Sequence, residues 1–248
     1  MKLRLTATVF VFALMLFAGY AALFIAPDER TMHEIQRIFY FHVPSWSASF
    51  SAFFIAFVAN IAYLATRRQQ WDSLGVSAAE VGVVACTLGL ITGPLWAKPV
   101  WGVWWTWDAR LTTTFILWLL YISYLLLRGL IDEPGRRATL SAVFGIFAFL
   151  DVPLVYMSNR LWRTQHPAPV IFGGEGSGLD PTMSKVLGLC MVAVLCLMIL
   201  VLVDRYRLEC LRRELDELRQ EVESRDLDLS KGDTRRFDSQ SASAKGQL

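Results

Sequence analysis

Charge is scarce in this chain: Asp, Glu, Lys and Arg together make up 19% of its 248 residues, against 54% hydrophobic and 13% aromatic residues. So little charge excludes an ordinary water-soluble domain and points to an integral membrane protein. The formal balance of +2 is small, and its basic residues are scattered instead of gathered in one block. A nucleic-acid partner is therefore not expected. Only four cysteines occur, Cys86, Cys190, Cys196 and Cys210, and none belongs to a Cys-x-x-Cys-His motif. Covalent haem attachment of the c type is thereby excluded, and no outer-face disulfide is implied. No Gly-x-x-x-x-Gly-Lys-[Ser/Thr] loop is present, so any ATP hydrolysis belongs to a partner. The run Gly173-Gly-Glu-Gly-Ser-Gly178 follows no strand, and as a nucleotide loop it is unconvincing.

What the chain has in abundance is long apolar runs. Six of them, at 5–26, 46–66, 78–95, 111–127, 140–157 and 183–203, each reach the roughly 17–25 residues that cross a bilayer. In hydrocarbon every backbone amide must find its partner within the segment, so runs of this length are helices. The first follows Lys2 and Arg4, but it is longer than the roughly 7–15 residues of a signal-peptide core and reads as a retained helix. The fold class is all-α: a polytopic membrane protein of six helices. Basic residues fall in the short loops 67–77 and 128–137 and near both ends (Arg67, Arg68, Arg128, Arg136, Arg137, Lys2, Arg4, Arg205 and Arg207). The positive-inside rule then places both termini in the cytoplasm and the loops 27–45, 96–110 and 158–182 outside.

One of those outer loops holds Trp101-Gly-Val-Trp-Trp-Thr-Trp-Asp-Ala-Arg-Leu111, with four tryptophans in eleven residues. Tryptophan favours membrane interfaces, yet such a belt needs one or two rings per helix end. Four at irregular spacing suit a platform for stacking equally well. All three histidines, His33, His42 and His166, fall in outer loops on the same face. His42 and His166 lie close before Pro44 and Pro167, and a proline bars regular helix nearby, so each imidazole is expected on a stiff loop at the surface. Two imidazoles beside an aromatic platform suit haem iron, whose porphyrin leaves two axial positions to the protein. Each histidine alone reads equally as a water-bonded loop residue, and the residues by themselves leave both readings standing.

The run Trp101–Thr112 resembles the tryptophan-rich "WWD" signature of the haem-handling proteins of cytochrome c maturation. Together with Gly93-Pro-Leu-Trp-Ala-Lys-Pro99, Phe41-His-Val-Pro44 and the six spans, it is most similar to the CcmC family, the haem exporter proteins C. The similarity covers roughly residues 30–200. This resemblance implies a non-enzymatic protein of the bacterial inner membrane that holds haem b non-covalently and transiently at its periplasmic face. It implies His42 and His166 as axial ligands, and Trp101, Trp104, Trp105, Trp107 and Asp108 around the porphyrin. The partners it implies are a periplasmic haem chaperone, subunits of an ABC transporter and a small single-span subunit.

Arg110 lies inside the signature, where a guanidinium could pair with a haem propionate; Lys98, Arg160 and Arg163 read as helix-end snorkelers. His33 lacks the Phe-His-Val-Pro context and reads as a surface residue. Asp151, in Phe149-Leu-Asp-Val-Pro153, is the one carboxylate well inside a span and reads either as a polar or proton-relay site or as a group that helps to satisfy a helix break at Pro153. Domain organisation follows: a membrane domain over 1–203 with the tryptophan loop at 96–112, then a tail over 204–248. In that tail Leu208, Leu211, Leu215, Leu218 and Val222 recur in steps of three and four, either a short coiled-coil seam or a free helical extension. Disorder is expected after about Ser224. Two other functions stay open: a membrane subunit carrying a permanent b-type haem for electron transfer, disfavoured by the expected absence of histidines within spans, and a solute permease with an aromatic belt.

Overall fold

A computed structural model describes residues 2–166 and 179–245, with side chains to Arg225. Among these residues six helices are long and apolar enough to cross a membrane, and the chain is a multi-pass membrane protein. It divides into two units, Met1–Tyr206 and Arg207–Leu248.

The helices of the first unit are α1 (Lys2–Tyr20), α2 (Phe39–Thr66), α3 (Gln69–Trp101), α4 (Ala109–Gly129), α5 (Pro134–Phe149), α6 (Asp151–Leu161) and the first part of α7 (Pro181–Lys245). A π turn, Ala21–Ile25, prolongs α1, and a 3-10 turn, Glu34–Ile38, leads into α2. Arg37 closes the end of α1: its guanidinium donates to the carbonyls of Ala22 and Leu23 and to Asp28. Carbonyls left over at a helix C-terminus need such partners.

The tightest pair is α2 with α3, and its cause is a repeat of seven. Gly75, Gly82 and Gly89 on α3 face Asn60, Phe53 and Trp46 on α2, and a Cβ at any of these glycines would lie under 3.0 Å from the facing side chain. Two antiparallel helices with small residues at one heptad position approach closely, and the large residue opposite fills each notch. Ser49 Oγ donates to the carbonyl of Gly82 at 3.1 Å and ties the seam at its middle. Further along, Arg128 of α4 makes a buried, two-pronged ion pair with Asp72 of α3 at 2.7 and 2.9 Å. Arg205 pairs with Glu80 in the same way.

Three expectations need correction. Pro44 does not stop a helix: α2 starts at Phe39 and runs through it. Membrane helices tolerate the lost hydrogen bond, because neighbouring groups re-satisfy the backbone. Beside the proline, Ser45 Oγ donates to the Phe41 carbonyl at 2.7 Å. Nor does the third span stop at 95: α3 runs through Pro94 and Pro99 to Trp101, so the tryptophan connection shrinks from 96–110 to residues 102–108. Last, the span at 140–157 is broken at Leu150, whose N–H donates to the Phe147 carbonyl at 3.1 Å. Asp151 does not satisfy that break; its Oδ2 is buried without a partner among the described residues.

In the second unit α7 continues to Lys245, past the Ser224 position where disorder was expected. An Arg225–Glu221 pair at 2.7 Å, four residues apart, favours helix there. Leu208, Leu211, Leu215, Leu218 and Val222 are all more than half exposed along it. The run Gly173–Gly178 lies outside the described residues.

Candidate haem site

The helical register through Pro44 places His42, Trp46 and Phe50 on one face of α2, four residues apart. His42 is therefore a helix residue, only 7% exposed, and not a loop residue. It faces α3, where Gly89 leaves room for the Trp46 indole and a Cβ at Gly93 would lie 3.4 Å from the imidazole Cε1. The Trp96 ring meets the imidazole edge-on at 5.8 Å.

Two hydrogen bonds fix the state of this imidazole. Thr92 Oγ1 gives its own proton to the Leu88 carbonyl at 2.8 Å, so at 2.9 Å from Nδ1 it accepts. Trp46 Nε1 can only donate, and it donates to His42 Nε2 at 3.2 Å. The network thus assigns the proton to Nδ1 and a lone pair to Nε2.

The tryptophan segment is shaped by its ends. Gly102, with φ of 77°, caps α3 in the left-handed region, and its N–H donates to the Lys98 carbonyl at 3.0 Å. Lys98 Nζ donates back to the Gly102 carbonyl at 2.9 Å and lies 5.9 Å from the Trp104 ring. At the other end Asp108 is the N-cap of α4 and accepts from the Leu111 N–H at 3.0 Å. The same carboxylate accepts from the Gln165 N–H at 3.1 Å, so one side chain joins the segment to the connection carrying His166. His166 meets the Trp101 ring edge-on at 6.5 Å, and its N–H donates to Thr164 Oγ1 at 3.1 Å. The expected stiffening by Pro167 lies outside the described residues.

These elements enclose a cavity of about 510 Å³, within the roughly 300–1,000 Å³ of small-molecule sites. His42, His166, Trp101, Trp104, Trp105 and Arg110 all line it, as do Trp46 and Trp96. Trp107 does not: it is 73% exposed and props the Trp105 ring edge-on at 5.8 Å, beside Phe115. Asp108 does not line it either; its work is at the cap and at Gln165. His33 sits in the turn bonded to Glu29, at φ of 49°, and does not itself line the cavity, although Glu29 and Met32 do. Two side chains absent from the sequence reading, Trp46 and Thr92, bind the His42 ring directly. Their signal was the i, i+4 step from His42 to Trp46, hidden once Pro44 was taken as a helix stop.

Among the unpaired buried polar atoms of the cavity lining, three donors stand against one acceptor, Gln36 Oε1, and the Glu29 carboxylate also lines it. Trp96 Nε1, Trp105 Nε1 and Arg110 Nη1 are buried donors without a partner among the described residues. Unmade hydrogen bonds of this kind are costly, so the cavity is built for a flat apolar guest that also carries acceptors or negative charge. Haem, with its propionates, has that chemistry, and imidazole is a donor type that suits its iron. Among the described residues no three His, Cys, Asp or Glu side chains cluster as a bare-metal site would require.

The sequence profile of the CcmC family, "Heme exporter protein C", matches residues 2–221. The chain belongs to this family. Relatives named heme exporter protein C include one from Bradyrhizobium diazoefficiens, 32% identical over 81% of this chain and 76% of its own length. That of Haemophilus influenzae is 30% identical over 76% and 77% of the two chains. The one from Paracoccus denitrificans is 28% identical over 79% and 81%.

Proposed function

We propose that the chain is a non-enzymatic haem carrier acting in haem export for cytochrome c biogenesis, and that the cavity between α2, α3 and the tryptophan connection receives the haem. The observation that supports this best is the pairing of His42 and His166 on one aromatic cavity where Trp96, Trp105 and Arg110 carry buried donors without acceptors among the described residues. In this reading the two imidazoles take the iron, Trp101, Trp104 and Trp105 flank the porphyrin, and Arg110 meets a propionate. Trp107 and Asp108 act at one remove, by propping Trp105 and by holding the Gln165 segment.

The haem is haem b, bound without covalent attachment and passed on. The membrane is the bacterial inner membrane, with both termini cytoplasmic and the cavity open towards the periplasm. A periplasmic haem chaperone takes the haem; ABC transporter subunits and a small single-span subunit complete the assembly. Two neutral imidazoles keep oxygen from the iron, while a site at the membrane surface leaves a haem edge accessible to the next carrier.

A permanent b-type haem for electron transfer is the second reading, and the burial of His42 within α2 favours it more than the sequence did. One experiment addresses both. The protein is purified in detergent from haem-replete cells, and optical spectra are recorded for the wild type, His42→Ala and His166→Ala. A haem spectrum lost in either variant, with haem passing from the wild type to a haem acceptor, is the expected result. Haem that survives both substitutions overturns the site; haem that cannot be extracted by an acceptor favours electron transfer.

A further inference from the structure

The imidazole of His42 is clamped at both nitrogens by side chains that do not belong to the tryptophan signature. Thr92 Oγ1 lies 2.9 Å from Nδ1 and Trp46 Nε1 lies 3.2 Å from Nε2. Each partner also has an anchor of its own beyond the imidazole. The Thr92 hydroxyl is committed to the Leu88 carbonyl, and the Trp46 indole is seated in the notch at Gly89 and packed on Phe50 at 5.6 Å.

We infer that Thr92 and Trp46 hold His42 as an oriented but masked iron ligand, with Thr92 fixing the tautomer and Trp46 competing with haem iron for Nε2. This rests on His42 being an iron ligand, as proposed above. When iron binds, the Trp46 N–H···Nε2 bond breaks as the iron–Nε2 bond forms; when iron leaves, the indole retakes the lone pair. No proton moves in either direction, because Nδ1–H stays on Thr92. The two neighbours therefore act with opposite sign. Thr92 strengthens the ligand, since an acceptor on the far imidazole nitrogen raises its basicity and holds the ring plane. Trp46 offers the ligand another partner in the haem-free state and so loosens retention. Such a pair suits a protein that must give its haem away.

Both are positioning residues, and the test uses the full-length protein loaded with haem, with transfer to excess apomyoglobin as the readout. Trp46→Phe keeps a ring in the Gly89 notch but removes the donor, and haem loss is expected to slow by about 3–10-fold, the weight of one neutral hydrogen bond. Thr92→Val removes the acceptor, and haem affinity is expected to fall by about 10–100-fold; Thr92→Ser restores it. In haem-free protein labelled with nitrogen-15 at histidine, His42 is expected to carry its proton on Nδ1, with the Nε2 resonance moving in Trp46→Phe. Haem loss from Trp46→Phe that is as fast as wild type, a Thr92→Val protein of wild-type affinity, or a proton on Nε2 overturns the inference while leaving the haem site intact. Wild-type haem retention in His42→Ala overturns the site itself and the inference with it.

Discussion

Asp108 and Gln165 are 57 positions apart and joined by a 3.1 Å hydrogen bond from the Gln165 N–H to Oδ2 of the carboxylate whose other oxygen, Oδ1, caps α4. Through it the position of His166 depends on a residue that does not line the cavity. Asp108→Ala is expected to remove the cap at about 1 kcal/mol and, in addition, to weaken haem binding. Asp108→Asn, whose amide oxygen can still accept, should fall between it and the wild type in haem titrations while nearly matching the wild type in thermal melting. Equal haem affinity in all three proteins would show that the bond to Gln165 does not position His166.

Arg110 is expected to have opposite effects on the empty and the filled protein. Among the described residues its Nη1 is buried without an acceptor, and such a group destabilises the haem-free state by about 1–3 kcal/mol. Arg110→Ala should therefore melt no lower than wild type without haem, yet retain less haem. A loss of stability in both states would remove Arg110 from the propionate site.

The four tryptophans of the 101–111 segment should not be equivalent. Trp107 is exposed and outside the cavity lining, whereas Trp105 lines it. Trp105→Ala is expected to lose about tenfold or more in haem affinity, the scale of one stacked aromatic contact, and Trp107→Phe to change it little. Titration of haem into each purified variant checks the ranking.

The notches of α3 should tolerate no side chain. Gly82→Val would drive a methyl into the Phe53 ring, with a destabilisation of about 1–3 kcal/mol or more from overpacking. Gly93→Ala, with 3.4 Å to the His42 ring, should melt close to wild type. Its haem spectrum is the more sensitive readout, because the added methyl touches the imidazole.

Acid should open the turn before α2. Glu29 accepts from the N–H groups of Thr31 and Met32 at 2.8 and 2.7 Å, and these bonds, Met32 first, hold its carboxyl below the usual carboxylate value. A depressed folded value means that the contribution is complete above the unfolded value and is lost as the pH falls through the folded one. Amide exchange at Thr31 and Met32 should accelerate in that acid range and at neutral pH in Glu29→Gln. Unchanged protection in Glu29→Gln would show that the carboxylate does not hold the turn.

Much of this architecture is legible in the sequence because a bilayer admits few answers. Six long apolar runs leave helices as their only state, and the tryptophan signature is long enough to point to a family before any coordinates. The neighbourhood of His42 was less legible. Pro44 reads as a stop by the rules of soluble proteins, which put His42 in a loop and separated it from Trp46. Within a membrane bundle the same proline is simply a helix residue. The glycines at 75, 82 and 89 were visible as residues but not as a pattern. Their meaning appears only when α2 is laid antiparallel beside α3 with Asn60, Phe53 and Trp46 opposite.

That stripe of glycines works as a ruler laid along the bundle. Each step of seven residues advances roughly 10.5 Å along a helix axis, and the last step sets how deep the His42 imidazole sits. The graduation is coarse. One residue inserted between Trp46 and Phe53 would turn the imidazole by roughly 100° about α2, away from its cavity. Seven would bring it back to the same face one notch further out. The height of the His42 imidazole can therefore change only in whole steps, so it stays in place however the lipid-facing surface of the two helices varies.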